Sequence, residues 1–99
     1  MKRLIILEQV YSDLAESSRF YERQEPGCGR YFHVTLTGEV ETLVEFHGIH
    51  PKRFGLRCLL SRTFPCGVFY REKKSAIEVV AVFDLRRNPS RLRQQLRKR

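Results

Sequence analysis

Arginine carries most of the chemical potential of this chain. Arg57, Arg62 and Arg71 stand in or at the ends of strand-like runs, and Arg86, Arg87 and Arg91 follow the last of them. A guanidinium is a permanently charged fork that matches phosphate and carboxylate alike. Residues of this type suit binding an anion, or steadying charge that develops on a phosphate. Cleaving RNA through its 2′-hydroxyl would also need groups that take and give a proton. After Asp84 the chain has no Tyr, His, Cys or Glu. The adjacent Arg86 and Arg87 cannot both point into an apolar core. They form either a solvated turn ion-paired to Asp84 or a site for phosphate or carboxylate.

The other reactive residues read more plainly. Tyr70 follows Phe69 in a strand-like run, so packing with an anchored hydroxyl is the expected role, and proton transfer the alternative. His47 falls on a helical apolar stripe and should be packed. His47 and His50 have metal-ligand spacing only if a helix continued through Gly48, and no third ligand follows. No metal and no cofactor are expected. Cys28, Cys58 and Cys66 are odd in number and lack a C-x-x-C spacing, which fits neither a disulfide framework nor a zinc motif. Cys58 and Cys66 should be small buried thiols. A disulfide between them on adjacent strands is the less usual alternative in a reducing compartment.

These residues sit on an uneven charge distribution. The first fifty residues carry five basic and eight acidic side chains, the remainder fourteen basic and three acidic, for a formal net charge of +8. Charge gathered in one half of a chain points to an anionic partner, either nucleic acid or an acidic peptide. Ninety-nine residues, 41% of them hydrophobic, fit one domain spanning residues 1–99 with a real core. No apolar run approaches the roughly 20 residues of a membrane span. The opening apolar run meets Glu8 at once and is too short for a secretion signal, so a cytoplasmic protein is expected.

The elements that must position the arginines can be read from periodicity. Lys2 to Leu7 reads as a short strand. Val10, Leu14 and Tyr21 share one helical face, and "EPGCG" stops that helix. Phe32, Leu36, Val40, Leu43, Val44 and His47 form the stripe of a second helix, with Gly48 as its stop. "GIHPKRFG" reads as a loop. Strands follow over 56–62, 66–72 and 76–84. In the last, Ile77, Val79 and Ala81 should share one face and Val80 and Val82 the other, as in a central strand. A short basic helix over roughly 90–97 should start at Asn88 or Ser90 near Pro89. The fold class is α+β: an N-terminal strand, an antiparallel helical hairpin packed on one face of a three-stranded antiparallel sheet, and a short C-terminal helix. The arginines could converge beside the sheet's exposed surface.

Three stretches carry a family resemblance. "FYERQEPGCGRYF" resembles a helix-to-helix junction with Tyr-Glu, Pro-Gly and a downstream aromatic. "FPCGVFYR" resembles a Phe-Pro-Tyr-x-x-x-Tyr strand, with Cys66 in the first Tyr position. "VVAVFDLRRNP" resembles a terminal strand with an Arg-Arg-Asp-Pro exit. At these spacings, over about residues 3 to 96, the chain resembles the RelE/ParE family of toxins from bacterial type II toxin–antitoxin systems. The resemblance implies a growth-inhibitory protein neutralised by a cognate acidic antitoxin in an oligomeric complex, with a role in plasmid stabilisation. One branch of the family cleaves messenger RNA on the ribosome and another poisons DNA gyrase. RNA-cleaving relatives commonly carry an Arg in the middle strand and a Tyr or His near the chain end. This sequence has Gly67 near the first place and nothing at the second, which favours the ParE-like branch. Arg57, Arg71, Tyr70 and Arg86 are the candidates for catalysis if there is any. Arg57, Arg62, Arg71, Arg86, Arg87 and Arg91 are the candidates for binding target or antitoxin.

Overall fold

A computed structural model describes residues 2–99. The chain runs β1 (Arg3–Ile6), α1 (Glu8–Gln24), α2 (Cys28–Glu41), α3 (Leu43–Phe46), β2 (Lys52–Arg53), β3 (Leu56–Leu60), β4 (Cys66–Glu72), β5 (Ala76–Asp84) and α4 (Pro89–Arg97). The five strands form one sheet in the order β1-β5-β4-β3-β2. The three expected strands pair antiparallel as anticipated. Two strands extend that picture. β1 joins β5 in parallel, and the loop "GIHPKRFG" contributes β2, a two-residue strand folded back on β3.

The helical hairpin closes because its junction lets the helices touch. A Cβ on Gly29 would lie 2.5 Å from the Ser18 carbonyl oxygen, so only glycine allows this approach of α2 to α1. The Glu22 carboxylate accepts from the N–H groups of Gly27 and Gly29, which have no helical partners at the start of α2. Tyr21, Phe32 and Phe64 pack with ring centroids 4.8 to 5.1 Å apart, tying the hairpin to the loop between β3 and β4.

The second helix is shorter than its stripe suggests. It breaks at Thr42, whose hydroxyl donates to the Glu39 carbonyl, and a single turn, α3, follows. Phe32, Leu36, Val40 and Leu43 are buried as expected. His47, expected to be packed on the stripe, lies past the last turn in extended backbone and is part-exposed.

The sheet separates two cores. On the hairpin side Phe32, Leu36 and Leu43 meet Val68, Tyr70, Ile77, Val79 and Val82. On the other side Leu92 and Leu96 of α4 cover Cys58, Phe69, Val80, Ala81 and Phe83. The expected alternation along β5 is therefore wrong after Val79. A β-bulge shifts the register so that Phe69 faces Ala81 while Tyr70 faces Val79. Val80 and Ala81 then point to the same face, and Val82 returns to the hairpin side. α4 begins as expected: Asn88 caps it by accepting from the Ser90 N–H at 2.8 Å.

β1 reaches only as far as Val79, which leaves the edge of β5 open beyond it. Asp13 of α1 and Arg99, just past α4, close that edge. The Asp13 carboxylate accepts from Val82 N–H and from both terminal nitrogens of Arg99, and Arg99 also donates to the Val80 carbonyl. The Arg99 guanidinium lies 4.9 Å from the Phe83 ring centre.

Candidate functional site

Strand register decides which arginines meet. Arg57 lies opposite Tyr70, and Arg71 opposite Glu78. Leu60, two residues before Arg62, lies opposite Gly67, and Cys66 opposite Asp84. Arg57 and Arg71 thus sit at one end of β4, and Arg62, Arg86 and Arg87 near the other. Seven extended residues separate those ends by about 20 Å. Arg91 is exposed on α4. The expectation of one convergent cationic patch on an open sheet face does not hold. α4 covers that face, and the arginines leave from both ends of the strands.

At the first end the structure assembles a cluster around Tyr70, which is fully buried. Its hydroxyl accepts from Gly48 N–H at 3.0 Å and faces His50 Nδ1 at 2.5 Å. The phenol and a neutral His50 share a hydrogen bond whose direction is set by the imidazole tautomer. The environment favours that neutral form. Burial, and then the Arg57 guanidinium, lower the His50 pKa. Burial raises the Tyr70 pKa, with the Gly48 N–H opposing. Arg57 donates to the His50 carbonyl at 2.9 Å, and its Nε lies 3.7 Å from Glu72. His47 Nδ1 lies 2.7 Å from the other Glu72 oxygen, and this hydrogen bond leads in holding the Glu72 carboxyl below its usual range. The two imidazoles address different partners. Among the described residues no group of three or more His, Cys, Asp or Glu could hold a metal ion.

The sequence offered Tyr70 as the alternative proton carrier; the structure sets His50, which the sequence reading left in a loop, beside Tyr70 and Arg57. The signal was present in "HPKRFG". A tight turn at Phe54 and Gly55 sets Lys52 opposite Arg57, which brings the preceding His50 over Tyr70. Arg57, Tyr70 and Arg71 share a cavity of about 240 Å³ with Lys52 and Glu72. Arg71 reaches this rim from the opposite sheet face, 2.7 Å from Glu78 and donating to the Arg99 carbonyl.

The far end is different in kind. Arg86 grips Asp84 through Nε and Nη2, with the closest contact at 2.7 Å. That pairing lowers the Asp84 pKa and raises that of Arg86. Arg87 is 3.9 Å from Glu16 and borders a cavity of about 230 Å³ with Tyr21 and Cys66. Burial pushes the Cys66 thiol up to about 12, with Asp84 adding to it, and pushes Cys58 up to about 11. Both are buried free thiols on opposite sheet faces, which rules out the disulfide between them. Arg62 stands apart again, on a groove of about 510 Å³ with Glu39, Phe46, Ile49, Leu59 and Leu60. The backbone N–H of Arg62 donates to Glu39.

Among the described residues no helix is long and apolar enough to cross a membrane. No protein-family model matches the sequence, and no curated protein matches it. Among solved structures, a chain from the chromosomal ParDE toxin–antitoxin system of P. aeruginosa superposes with a TM-score of 0.77. The identity is 18%, and the alignment covers 85% of this chain and 96% of that one. The order of strands and helices described above is therefore the RelE/ParE-like fold.

Proposed function

We propose that this chain is the toxin component of a type II toxin–antitoxin module. It arrests growth in the cytoplasm by binding its target through a basic surface, with DNA gyrase as the candidate target, and a cognate acidic antitoxin neutralises it. The observation that carries the reading is the fold held in common with a ParDE-system chain over 96% of that chain's length.

Binding rather than hydrolysis is supported by Gly67. A Cβ there would meet Cys58 Sγ at 2.7 Å and Leu85 Cδ1 at 3.2 Å. No arginine fits where the resemblance places one, and Leu92 and Leu96 fill the same sheet face. Antitoxin capture is supported by uncovered apolar surface. Phe46, Ile49 and Leu60 are each more than half exposed beside the outer edge of β3, and Tyr11, Tyr31 and Val34 are exposed on the hairpin. A disordered acidic segment crossing these faces would bury apolar side chains while its carboxylates meet Arg57, Arg62, Arg71, Arg86 or Arg87. Leu60→Glu should keep toxicity and weaken rescue by the antitoxin.

A second reading, a ribosome-dependent endoribonuclease, is favoured by one observation: His50 and Tyr70, possible proton carriers, lie beside Arg57. Inducing the chain in cells and mapping breaks separates the two. DNA breaks with intact transcripts support gyrase poisoning. Cuts at codon positions in translated messages establish the ribonuclease. Normal growth sinks both.

A further inference from the structure

The cations that matter most for a ligand are those without a carboxylate. Six of the cations that make no ion pair among the described residues, Lys52, Arg53, Arg91, Arg93, Arg97 and Lys98, lie on α4, just past its end, or on the strand β2 near it; the others, Arg19 and Arg30 among them, lie elsewhere. Between the β2–β3 turn and α4 is a cleft of about 360 Å³ walled by Phe54, Leu56, Arg71, Arg93, Leu96 and Arg97, with no acidic residue. It adjoins the 240 Å³ cavity beside Tyr70, because Gly55, Leu56 and Arg71 line both. The two make one trough whose cations are Arg97, Arg93, Arg71, Lys52 and Arg57. Glu72 is its one carboxylate, and Lys2, His47 and Arg57 already surround it. On the trough wall the Arg57 Nε–H is buried without a hydrogen bond, the Glu72 carboxylate standing 3.7 Å away.

Phe54 stands at the middle of this trough in an unusual state. Its φ of 55° puts a bulky side chain in the left-handed region that favours glycine. Such strain persists where the surroundings impose it, and it gathers at ligand sites. One neighbour of the ring is Phe69, stacked at 6.1 Å. The Arg53 and Arg93 guanidinium carbons lie 5.2 and 5.3 Å from the ring centre. Arg93 and Arg97 are one helical turn apart, about 6 Å along the axis.

We propose that this trough binds single-stranded nucleic acid, with phosphates on Arg93, Arg97 and Lys52 and bases stacked on Phe54 and its guanidiniums. Cationic grooves with aromatic platforms hold single strands in this way. A duplex hides its base faces, and an acidic peptide would use the guanidiniums but gain nothing from the ring. The site lies at the opposite end of β4 from Arg86 and Arg87, and it does not depend on the toxin reading.

The test is fluorescence anisotropy of the purified chain with mixed-sequence single-stranded RNA and DNA of roughly 20 nucleotides, longer than a typical site. A matched duplex and a poly-glutamate peptide are the competitors. Two double variants carry the same charge change: Arg93→Glu with Arg97→Glu in the trough, and Arg19→Glu with Arg30→Glu on the hairpin. The trough pair should lose affinity by about tenfold or more, the hairpin pair far less, and the salt dependence should be shallower in the trough pair. Phe54→Asn, which keeps a side chain tolerant of the left-handed backbone, should weaken binding several-fold without any change of charge. Circular dichroism checks that each variant is folded. Comparable losses in both double variants would reduce the binding to net charge and overturn the proposal. So would poly-glutamate displacing the oligonucleotide more effectively than unlabelled single strand, which would reassign the trough to a protein partner. RNA and DNA arms of unequal affinity would identify which polymer it prefers.

Discussion

Tyr70 has no exposed surface, yet its hydroxyl fastens residues 48 to 50 to the sheet through Gly48 and His50. The sequence placed Tyr70 in packing with an anchored hydroxyl, and that is where it lies. His50 could not be read so easily, because its role depends on a strand register set seven residues later by Arg57. Its pH behaviour follows from the fold. The native His50 pKa is lowered, while an unfolded histidine titrates near 6.5. Between the two values the unfolded chain binds more protons. Stability from this group is thus complete above about pH 6.5 and is lost as the pH falls towards the native value. Denaturant midpoints measured from pH 7.5 to 5 should fall in the native chain and fall less in His50→Gln. Equal slopes would contradict this account of His50. The cysteines make a second check. Cys58 and Cys66 are buried with raised pKa values, whereas Cys28 is part-exposed. Intact-mass measurement after brief alkylation near pH 8 should show one label on the native chain, at Cys28, and three after denaturation.

At the level of elements, the strands of the antiparallel sheet and the start of α4 were legible because alternation, turns and the Asn-Pro cap are local signals. The bulge in β5 was not. A run of Ile, Val, Ala and Phe is apolar whichever face it meets, so nothing in the pattern marks the slip at Val80. The β2 strand was hidden for the opposite reason, being only two residues long. Glycine tests the hairpin directly. Gly29→Ala forces a Cβ against the Ser18 carbonyl and should cost about 1–3 kcal/mol. Gly38→Ala, in the same helix with nothing within 4 Å, should gain up to about 1 kcal/mol. Chemical denaturation of the two variants should move their midpoints in opposite directions. The bulged edge has its own test. Asp13→Ala leaves the part-buried Arg99 guanidinium and the Val82 N–H without their acceptor, and should destabilise by about 3 kcal/mol. A loss within a few tenths would mean the edge is held by packing alone.

The whole molecule is a two-faced sheet with a helical hairpin on one side and a basic helix on the other, and this decides where a partner can act. The sequence showed that the second half of the chain is cationic. It could not show that α4 fills the sheet face where the resemblance would place catalysis, since charge composition does not say where a helix docks. Leucines 92 and 96 carry that information, spaced to make one buried stripe on a helix that otherwise reads as polar. The apolar edge near Leu60 and the basic trough near Phe54 remain exposed, one suited to an apolar partner segment, the proposed antitoxin's place, and the other to a polyanion.

The central claim, a toxin that arrests growth by binding and without cutting RNA, is tested most directly by controlled induction in bacterial cells. Nucleic acid breaks are mapped as growth slows, with and without co-expression of an acidic protein encoded beside this chain. Arrest with transcripts intact, relieved by that neighbour, is the predicted result. Codon-position cuts in translated messages, or undisturbed growth, would contradict it.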